Sequence, residues 1–237
     1  MKILDLFSGI GGFSLGLERA GMQTIAFCEV DPACRQVLKK HWPDVPIFED
    51  VKTLTAKDIH DTVDVICGGF PCQDISLAGK GAGLAGERSG LWYEYRRLIE
   101  EIHPRYAVIE NVAALRSRGL DAVLSGLTEI GYDAEWHCIP ACAVGAPHRR
   151  DRVWVIAYPQ RHNERQEPRC RTLGRMGWEF QSFPWHRDWK SALREFRGMD
   201  DGLSYGVDRL NTLRNAVVPQ IPEMIGNAIL SYENTLA

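Results

Sequence analysis

Cys72 is the strongest candidate for a reactive side chain in this sequence. It lies in the segment GGFPCQ at residues 68–73, directly after the apolar run Val63–Cys67. Open α/β sheets bind ligands beyond the carboxyl ends of their strands, and a nearby positive charge would favour the nucleophilic thiolate form of a cysteine there. The glycine-rich segment 78–86 could close over a substrate. A Pro-Cys pair taken alone would favour simple packing, and the rest of the sequence reverses that balance.

A glutamate and a group of arginines are predicted to reach the same edge of the sheet. Glu110 ends the apolar strand Tyr106–Ile109, and its carboxyl group can act as a general acid or bind a ring nitrogen, especially where burial raises its pKa. Arg150 and Arg152 precede the strand Val153–Ala157 and supply guanidinium donors for a phosphate or a base carbonyl. Helix capping and ordinary salt bridges are the alternatives for these side chains.

The glycine-rich turn at residues 7–13 follows the strand Ile3–Phe7 and opens the helix Gly12–Ala20. A turn at this position lets a ligand approach the backbone and the N–H groups of the helix. Glu29, just past the second strand, could accept hydrogen bonds from both ribose hydroxyls, and Asp50 could receive an adenine amino group. These placements predict an adenosine-containing cofactor. A plain strand-to-helix connection would also explain the turn, and the spacing does not separate a dinucleotide from S-adenosylmethionine.

Short apolar strands alternate with amphipathic helices through two thirds of the chain, which predicts an α/β fold with a mostly parallel sheet and helices on both faces. The predicted strands are Ile3–Phe7, Thr24–Cys28, Pro46–Phe48, Val63–Cys67, Tyr106–Ile109 and Val153–Ala157. The predicted helices are Gly12–Ala20, Pro32–His41, Leu91–Ile102, Leu120–Ile130 and Pro219–Ser231. Cys28, Cys67 and Cys138 are predicted to pack in the core.

The composition favours one soluble domain, since 45% of the 237 residues are hydrophobic and 25% are charged. We expect no signal peptide and no membrane span, and the scattered cysteines favour a reducing cytoplasm and no metal site.

The net charge of −3 conceals an uneven distribution of charge along the chain. Residues 1–157 contain 17 basic and 21 acidic side chains, whereas residues 158–199 contain 9 and 5.

In chain order, eight short motifs resemble those of the DNA cytosine-5 methyltransferase family, in its bacterial or phage form. They are DLFSGIGGF at 5–13, EVD at 29–31, DV at 50–51, GFPCQ at 69–73, RSGL at 88–91, ENV at 110–112, RDR at 150–152 and NAVVPQ at 215–220. The resemblance implies a Rossmann-like S-adenosylmethionine-dependent methyltransferase fold. It divides the chain into a catalytic domain at 1–157, a small irregular target-recognition region at 158–205 and a C-terminal segment at 206–237 that returns to the catalytic domain.

The resemblance implies methyl transfer from S-adenosylmethionine, leaving S-adenosylhomocysteine, to C5 of a cytosine flipped out of duplex DNA. Cys72 would attack C6, Glu110 would meet N3 and the exocyclic amine, Arg152 would bind O2 and Arg150 would order the site. The sequence does not identify the base that removes the C5 proton. The implied cofactor residues are Phe7, Ser8, Gly9, Ile10, Gly12, Glu29, Asp50, Val51, Leu91, Asn215 and Val217.

The target-recognition region at 158–205 is short for the family. Its excess of basic residues suits phosphate contacts, and we expect Trp178, Trp185 and Trp189 to form a small core rather than to stack on bases. A compact reader has room for few base-edge contacts, which predicts a target site of at most about six base pairs. The family usually has Gln at the position of His148 and Gly at that of Arg214.

The expected partner is double-stranded DNA, and the expected state is a cytoplasmic monomer in a bacterial or phage-infected cell. A separate restriction endonuclease is compatible with the sequence but not implied by it.

Methyltransferases of this family that act on tRNA carry Cys-Phe-Thr after Glu-Asn-Val, and the residues at 113–115 are Ala-Ala-Leu instead. A catalytically weak DNA-binding module, or the partner of another subunit, is supported only by Arg214 and the short recognition region. A nicotinamide oxidoreductase would leave Cys72, Glu110 and Arg152 unexplained.

Overall fold

The computed structural model describes residues 1–71, 90–146, 148–160 and 216–236. The strands are β1 (Lys2–Leu6), β2 (Gln23–Cys28), β3 (Ile47–Phe48), β4 (Val65–Gly68), β5 (Tyr106–Val112), β6 (Tyr132–Pro140) and β7 (Asp151–Pro159). The α-helices are α1 (Gly12–Arg19), α2 (Pro32–His41), α3 (Gly90–Ile102), α4 (Leu115–Arg118), α5 (Leu120–Glu129) and α6 (Gln220–Asn234). Within these ranges, no helix is both long enough and apolar enough to cross a bilayer.

The strands form one sheet in the order β3-β2-β1-β4-β5-β7-β6. The first five strands of that order pair in parallel, while β7 lies antiparallel between β5 and β6. The predicted mostly parallel sheet is therefore confirmed. Parallel strands point their carboxyl ends toward the same edge, so the segments after β1, β2, β3 and β4 all emerge there.

The sequence patterns did not predict β6. On this edge strand Asp133, Trp136 and Cys138 are exposed, so polar and apolar residues are mixed rather than forming the apolar run of a central strand. The prediction that Cys138 packs in the core is wrong for the same reason, because its side chain faces outward and accepts a hydrogen bond from Arg116. Cys28 and Cys67 are buried, as predicted.

Helices cover both faces of the sheet, as predicted. One core lies under α3 and α5, which contribute Tyr95, Leu98, Val123 and Leu127. The second core lies under α1 and α6, which contribute Phe13, Leu17, Ile221 and Ile225. Successive residues of a strand alternate between the two faces, and β4 illustrates this with Ile66 in the first core and Val65 and Cys67 in the second.

Helix α6 packs closely against α1 because glycines lie at the contact. A Cβ on Gly16 would lie 2.2 Å from the Pro219 carbonyl oxygen, and one on Gly226 would lie 2.8 Å from the Cβ of Ala20. This packing places residues 216–219 beside the first turn of α1. The proposed division of the chain into catalytic, recognition and C-terminal parts stays a prediction, since residues 161–215 lie outside the described ranges.

Candidate active site

The turn between β1 and α1 has a backbone that few residues adopt. Phe7, Gly9 and Gly11 all have positive φ, at 53°, 54° and 84°. A Cβ on Gly11 would also lie 2.6 Å from the ring of Trp42, so glycine is required there on two grounds. The Ser8 hydroxyl donates to the Asp5 carbonyl oxygen at 2.6 Å and fixes the start of the turn. Phe7 is a non-glycine residue in the left-handed region. Local backbone strain of this kind is concentrated at functional sites.

Asp5 joins the strand before this turn, β1, to the helix after it, α1. Its side chain is fully buried, and one carboxyl oxygen accepts hydrogen bonds from the backbone N–H and the hydroxyl of Ser14 at 3.3 and 2.8 Å. Burial raises the pKa of Asp5 to about 8, so the carboxyl group keeps its proton to a higher pH than a free one. The sequence motifs assigned no role to this residue, although an aspartate inside an apolar strand was a visible signal.

Glu29 ties the turn to the end of β2. Its buried carboxylate accepts hydrogen bonds from the N–H of Gly9 at 2.7 Å and of Asp31 at 2.8 Å. Burial raises the pKa of Glu29, and the hydrogen bonds from Asp31 and Gly9 oppose that rise. A carboxylate has about four acceptor positions, so Glu29 keeps capacity to accept a hydrogen bond from a further donor.

Asp50 lies at the next position along the same edge. The N–H of Glu29 donates to the Phe48 carbonyl oxygen at 2.9 Å, so β2 and β3 end side by side. The Asp50 carbonyl oxygen accepts hydrogen bonds from Thr53 and Leu54, each at 3.1 Å. Asp50 itself is exposed and the following Val51 is buried. Glu29 and Asp50 therefore occupy adjacent strand ends, as the sequence predicts.

The C-terminal motif NAVVPQ contacts both the glycine turn and the arginine motif RDR. A Cβ on Gly12 would lie 2.7 Å from the Val217 carbonyl oxygen, so Gly12 allows a close approach of Val217 to the glycine turn. The guanidinium group of Arg150 donates to the Ala216 carbonyl oxygen at 2.8 Å. The turn and the arginine motif are thus joined through residues 216–217.

Glu110 and Arg152 form an ion pair at the end of β5 and the start of β7. The Nε of Arg152 lies 2.8 Å from a Glu110 carboxylate oxygen, and the two side chains are 21% and 12% exposed. Burial raises the pKa of Glu110, while the charges of Arg152 and Arg150 oppose that rise. Burial and the charge of Arg152 lower the pKa of Arg150. A carboxyl group that keeps its proton to higher pH is suited to donate a hydrogen bond to a ring nitrogen.

The same strand holds the segment that leads to Cys72. A Cβ on Gly69 would lie 2.8 Å from a Glu110 carboxylate oxygen, so a larger residue there would displace the carboxylate from this position. The buried side chain of Asn111 donates to the Phe70 carbonyl oxygen at 3.0 Å. Asn111 belongs to the ENV motif, but the motif does not predict a separate role for it.

Cys28 and Cys67, the predicted core cysteines that are buried in the structure, are poor nucleophiles. Burial raises the pKa of Cys28 to about 12 and that of Cys67 well above its ordinary value, with the negative charges of Glu29 and Asp5 adding to the respective rises. The reactive form of a cysteine is the thiolate, so neither side chain is suited to attack a substrate.

The remaining predicted residues are placed as follows. Phe7 stacks on Tyr95 of α3 with ring centroids 6.2 Å apart, and Leu91, the second residue of α3, packs at the border of the first core. Ile10 is partly buried in the turn and His148 is exposed. Cys72, Asn215 and Arg214 lie outside the described residues.

Comparisons with known proteins agree with this geometry. The model of the C-5 cytosine-specific DNA methylase family matches residues 1–229. Type II methyltransferase M2.BsuMI of Bacillus subtilis (strain 168) is 39% identical over 165 residues, which cover 66% of this chain and 42% of that protein. The chain spans about two fifths of the length of M2.BsuMI and of the next two curated relatives.

Two solved structures share the fold. A protein described as a DNA modification methyltransferase of an Escherichia coli prophage superposes with a TM-score of 0.57 and 28% identity over 67% of this chain and 47% of its own. The Dnmt2 methyltransferase of S. pombe superposes with a TM-score of 0.61 and 20% identity over 81% of this chain and 63% of its own. Because the family model matches nearly the whole length, the chain belongs to the C-5 cytosine-specific DNA methylase family.

Proposed function

We propose that this chain transfers a methyl group from S-adenosylmethionine to C5 of a cytosine flipped out of duplex DNA, through a covalent bond between Cys72 and C6. The observation that supports the proposal most strongly is the position of Glu110. Its carboxyl group is paired with Arg152 at 2.8 Å and lies against the Gly69 backbone, three residues before Cys72.

In the covalent step, negative charge develops on the cytosine ring and must be stabilised. When the Cys72 thiolate bonds to C6, the electrons of the C5–C6 double bond form a double bond between C5 and C4, and those of the C4–N3 double bond move onto N3. A protonated Glu110 donating to N3 stabilises that charge, and the same carboxyl group can accept from the exocyclic amine. Its raised pKa supports this role.

The methyl group comes from the sulfonium of S-adenosylmethionine. Once C5 has taken the methyl group, a base removes the C5 proton and the electrons of that bond expel Cys72 as the thiolate. Water or a protein group can serve as that base.

Arg152 and Arg150 are proposed to position the cytosine. Arg152 bonds to Glu110 through Nε and to the Asp151 carbonyl oxygen through Nη1, and its guanidinium group has further donors for the cytosine O2. Arg150 is joined to Ala216, so it links the catalytic edge to the C-terminal motif.

The residues around the glycine turn fit an adenosine-containing cofactor. We assign Phe7, Ser8, Gly9, Ile10 and Gly12 to the methionine end, and Glu29 to the ribose hydroxyls. Asp50 and Val51 are assigned to the adenine, while Leu91, Asn215 and Val217 complete the pocket. The fit rests on the positive φ values of the turn and on the remaining acceptor capacity of Glu29.

Double-stranded DNA is the proposed partner, with residues 158–205 as its reader. The excess of basic side chains in residues 158–199 supports phosphate contacts. The proposed reader is small, which supports a short target site.

The experiment that tests the function is transfer of labelled methyl from S-adenosylmethionine to duplex DNA that contains every short sequence context. We expect incorporation by the native chain at cytosine C5, located by bisulfite sequencing, and none by Cys72→Ala. Cys142→Ala removes an exposed cysteine and is the matched control with native incorporation. Incorporation by Cys72→Ala, or only into a tRNA supplied in parallel, would refute the proposal.

A further inference from the structure

The loop that follows β3 receives little support from the sheet. Strand β3 has only two residues, Ile47 and Phe48, and among the described strands it pairs with β2 alone, at the edge of the sheet. Asp50 and Val51, which we assign to the adenine, come directly after it. A site on a loop is positioned accurately only if other groups hold that loop.

Arg97 of α3 supplies that support. Its Nη2 donates to the Val51 carbonyl oxygen at 3.0 Å and to the Leu54 carbonyl oxygen at 2.9 Å. The side chains of Val51 and Leu54 are 5% and 2% exposed and pack in the first core. The loop is therefore held by buried side chains on one side and by Arg97 through its carbonyl oxygens.

Two glutamates of the same helix fix the guanidinium group. Glu94 accepts from Nε and Glu101 accepts from Nη1, each at 2.7 Å, at the helical spacings of three and four residues that bring side chains together. Glu101 also accepts from the Ala56 N–H at 3.1 Å. Arg97 and its partners thus contact the loop from Val51 to Ala56.

We infer that Arg97 is a positioning residue that sets the specificity of this site for the adenine of its cofactor. It acts through the Val51 and Leu54 carbonyl oxygens, which hold the backbone that carries the Asp50 carboxylate toward the adenine amino group. The inference rests on the proposed function, because it requires an adenosine-containing cofactor at this edge of the sheet. An arginine is needed because its planar group supplies several donors in fixed directions, which the ammonium group of lysine does not.

Calorimetric binding of two ligands separates positioning from general support of the fold. S-adenosylhomocysteine carries the adenine amino group, and S-inosylhomocysteine carries an oxygen in its place. If Asp50 accepts from that amino group, we expect the native chain to bind the inosyl compound about tenfold more weakly. In Arg97→Met the displaced loop loses that contact, so S-adenosylhomocysteine binds about tenfold more weakly and the preference between the ligands falls toward one.

Two further variants complete the design. Arg96→Met removes the neighbouring arginine, which pairs with Glu129 instead, and is expected to keep the native preference. Arg97→Lys keeps the charge between Glu94 and Glu101. This variant is expected to lose part of the preference for S-adenosylhomocysteine. It decides the test if Arg97→Met does not fold.

The possible results distinguish the two claims. An unchanged preference in a folded Arg97 variant, even with weaker binding of both ligands, would overturn the positioning role. A native chain that binds neither ligand would overturn the proposed function, and the role of Arg97 with it.

Discussion

Glu110→Gln is expected to slow methyl transfer about 10²–10⁴-fold, the range typical of losing a positioned acid in the transition state. Glutamine keeps the size of the side chain but cannot transfer a proton. Burial raises the pKa of Glu110, so the native carboxyl group stays protonated to a higher pH than a free one. The contribution of Glu110 should therefore disappear as the pH rises through that raised pKa, and Glu110→Gln should lack this alkaline loss.

Single-turnover rates across pH, with cofactor and DNA affinities measured separately, test this expectation. Glu135→Gln is the matched control, since Glu135 is also buried but lies on β6. It should retain the native rate and the native pH dependence. A Glu110→Gln rate within a factor of about three of the native rate, well inside the range expected for a catalytic acid, would remove Glu110 from the mechanism.

Asn111→Asp is expected to slow methyl transfer about 10–100-fold, because losing one buried hydrogen bond costs about 1–3 kcal/mol. The substitution keeps an oxygen that can accept from the Val112 N–H, as Asn111 does at 2.8 Å. It removes the amide donor that holds the Phe70 carbonyl oxygen, two residues before Cys72. The segment that carries the proposed nucleophile should then shift relative to Glu110.

The measurement is the rate of the covalent step together with affinity for S-adenosylhomocysteine. We expect the rate to fall while cofactor affinity remains native, since the side chain of Asn111 forms its hydrogen bonds with Phe70 and Val112. Asn227→Asp makes the same chemical change at an exposed position of α6 and should leave both quantities unchanged. Equal loss of cofactor affinity in Asn111→Asp would indicate general destabilisation instead.

The central strands and their helices could be predicted because their signals are local. The predicted helix at 32–41 agrees with α2 at both ends. Asp31 caps it by accepting from the Ala33 N–H at 2.8 Å, and Pro32 occupies the first helical position, as the residue types suggest. The edge strand β6 could not be predicted, because its exposed side chains break the apolar pattern on which the other predictions depend.

The candidate site was predictable where motifs mark strand ends and was missed where support comes from distant residues. Glu29 and Glu110 follow apolar runs, so their location followed from the pattern. Arg97 contacts a carbonyl oxygen 46 residues away, and Asn111 contacts one 41 residues away. Such contacts depend on how β4, β5 and α3 pack, and a helical Glu-Arg-Glu spacing alone indicates only an exposed ion-pair group.

Covalent trapping on duplex DNA containing 5-fluorocytosine tests the account most directly. The fluorine at C5 cannot leave as a proton, so a chain that has attacked C6 and transferred the methyl group stays attached to the DNA. With S-adenosylmethionine present, we predict a complex that survives denaturation and maps by mass spectrometry to Cys72, with none from Cys72→Ala and a native yield from Cys142→Ala. Absence of any complex across duplexes that carry every short sequence context, or an unchanged complex with Cys72→Ala, would contradict the account.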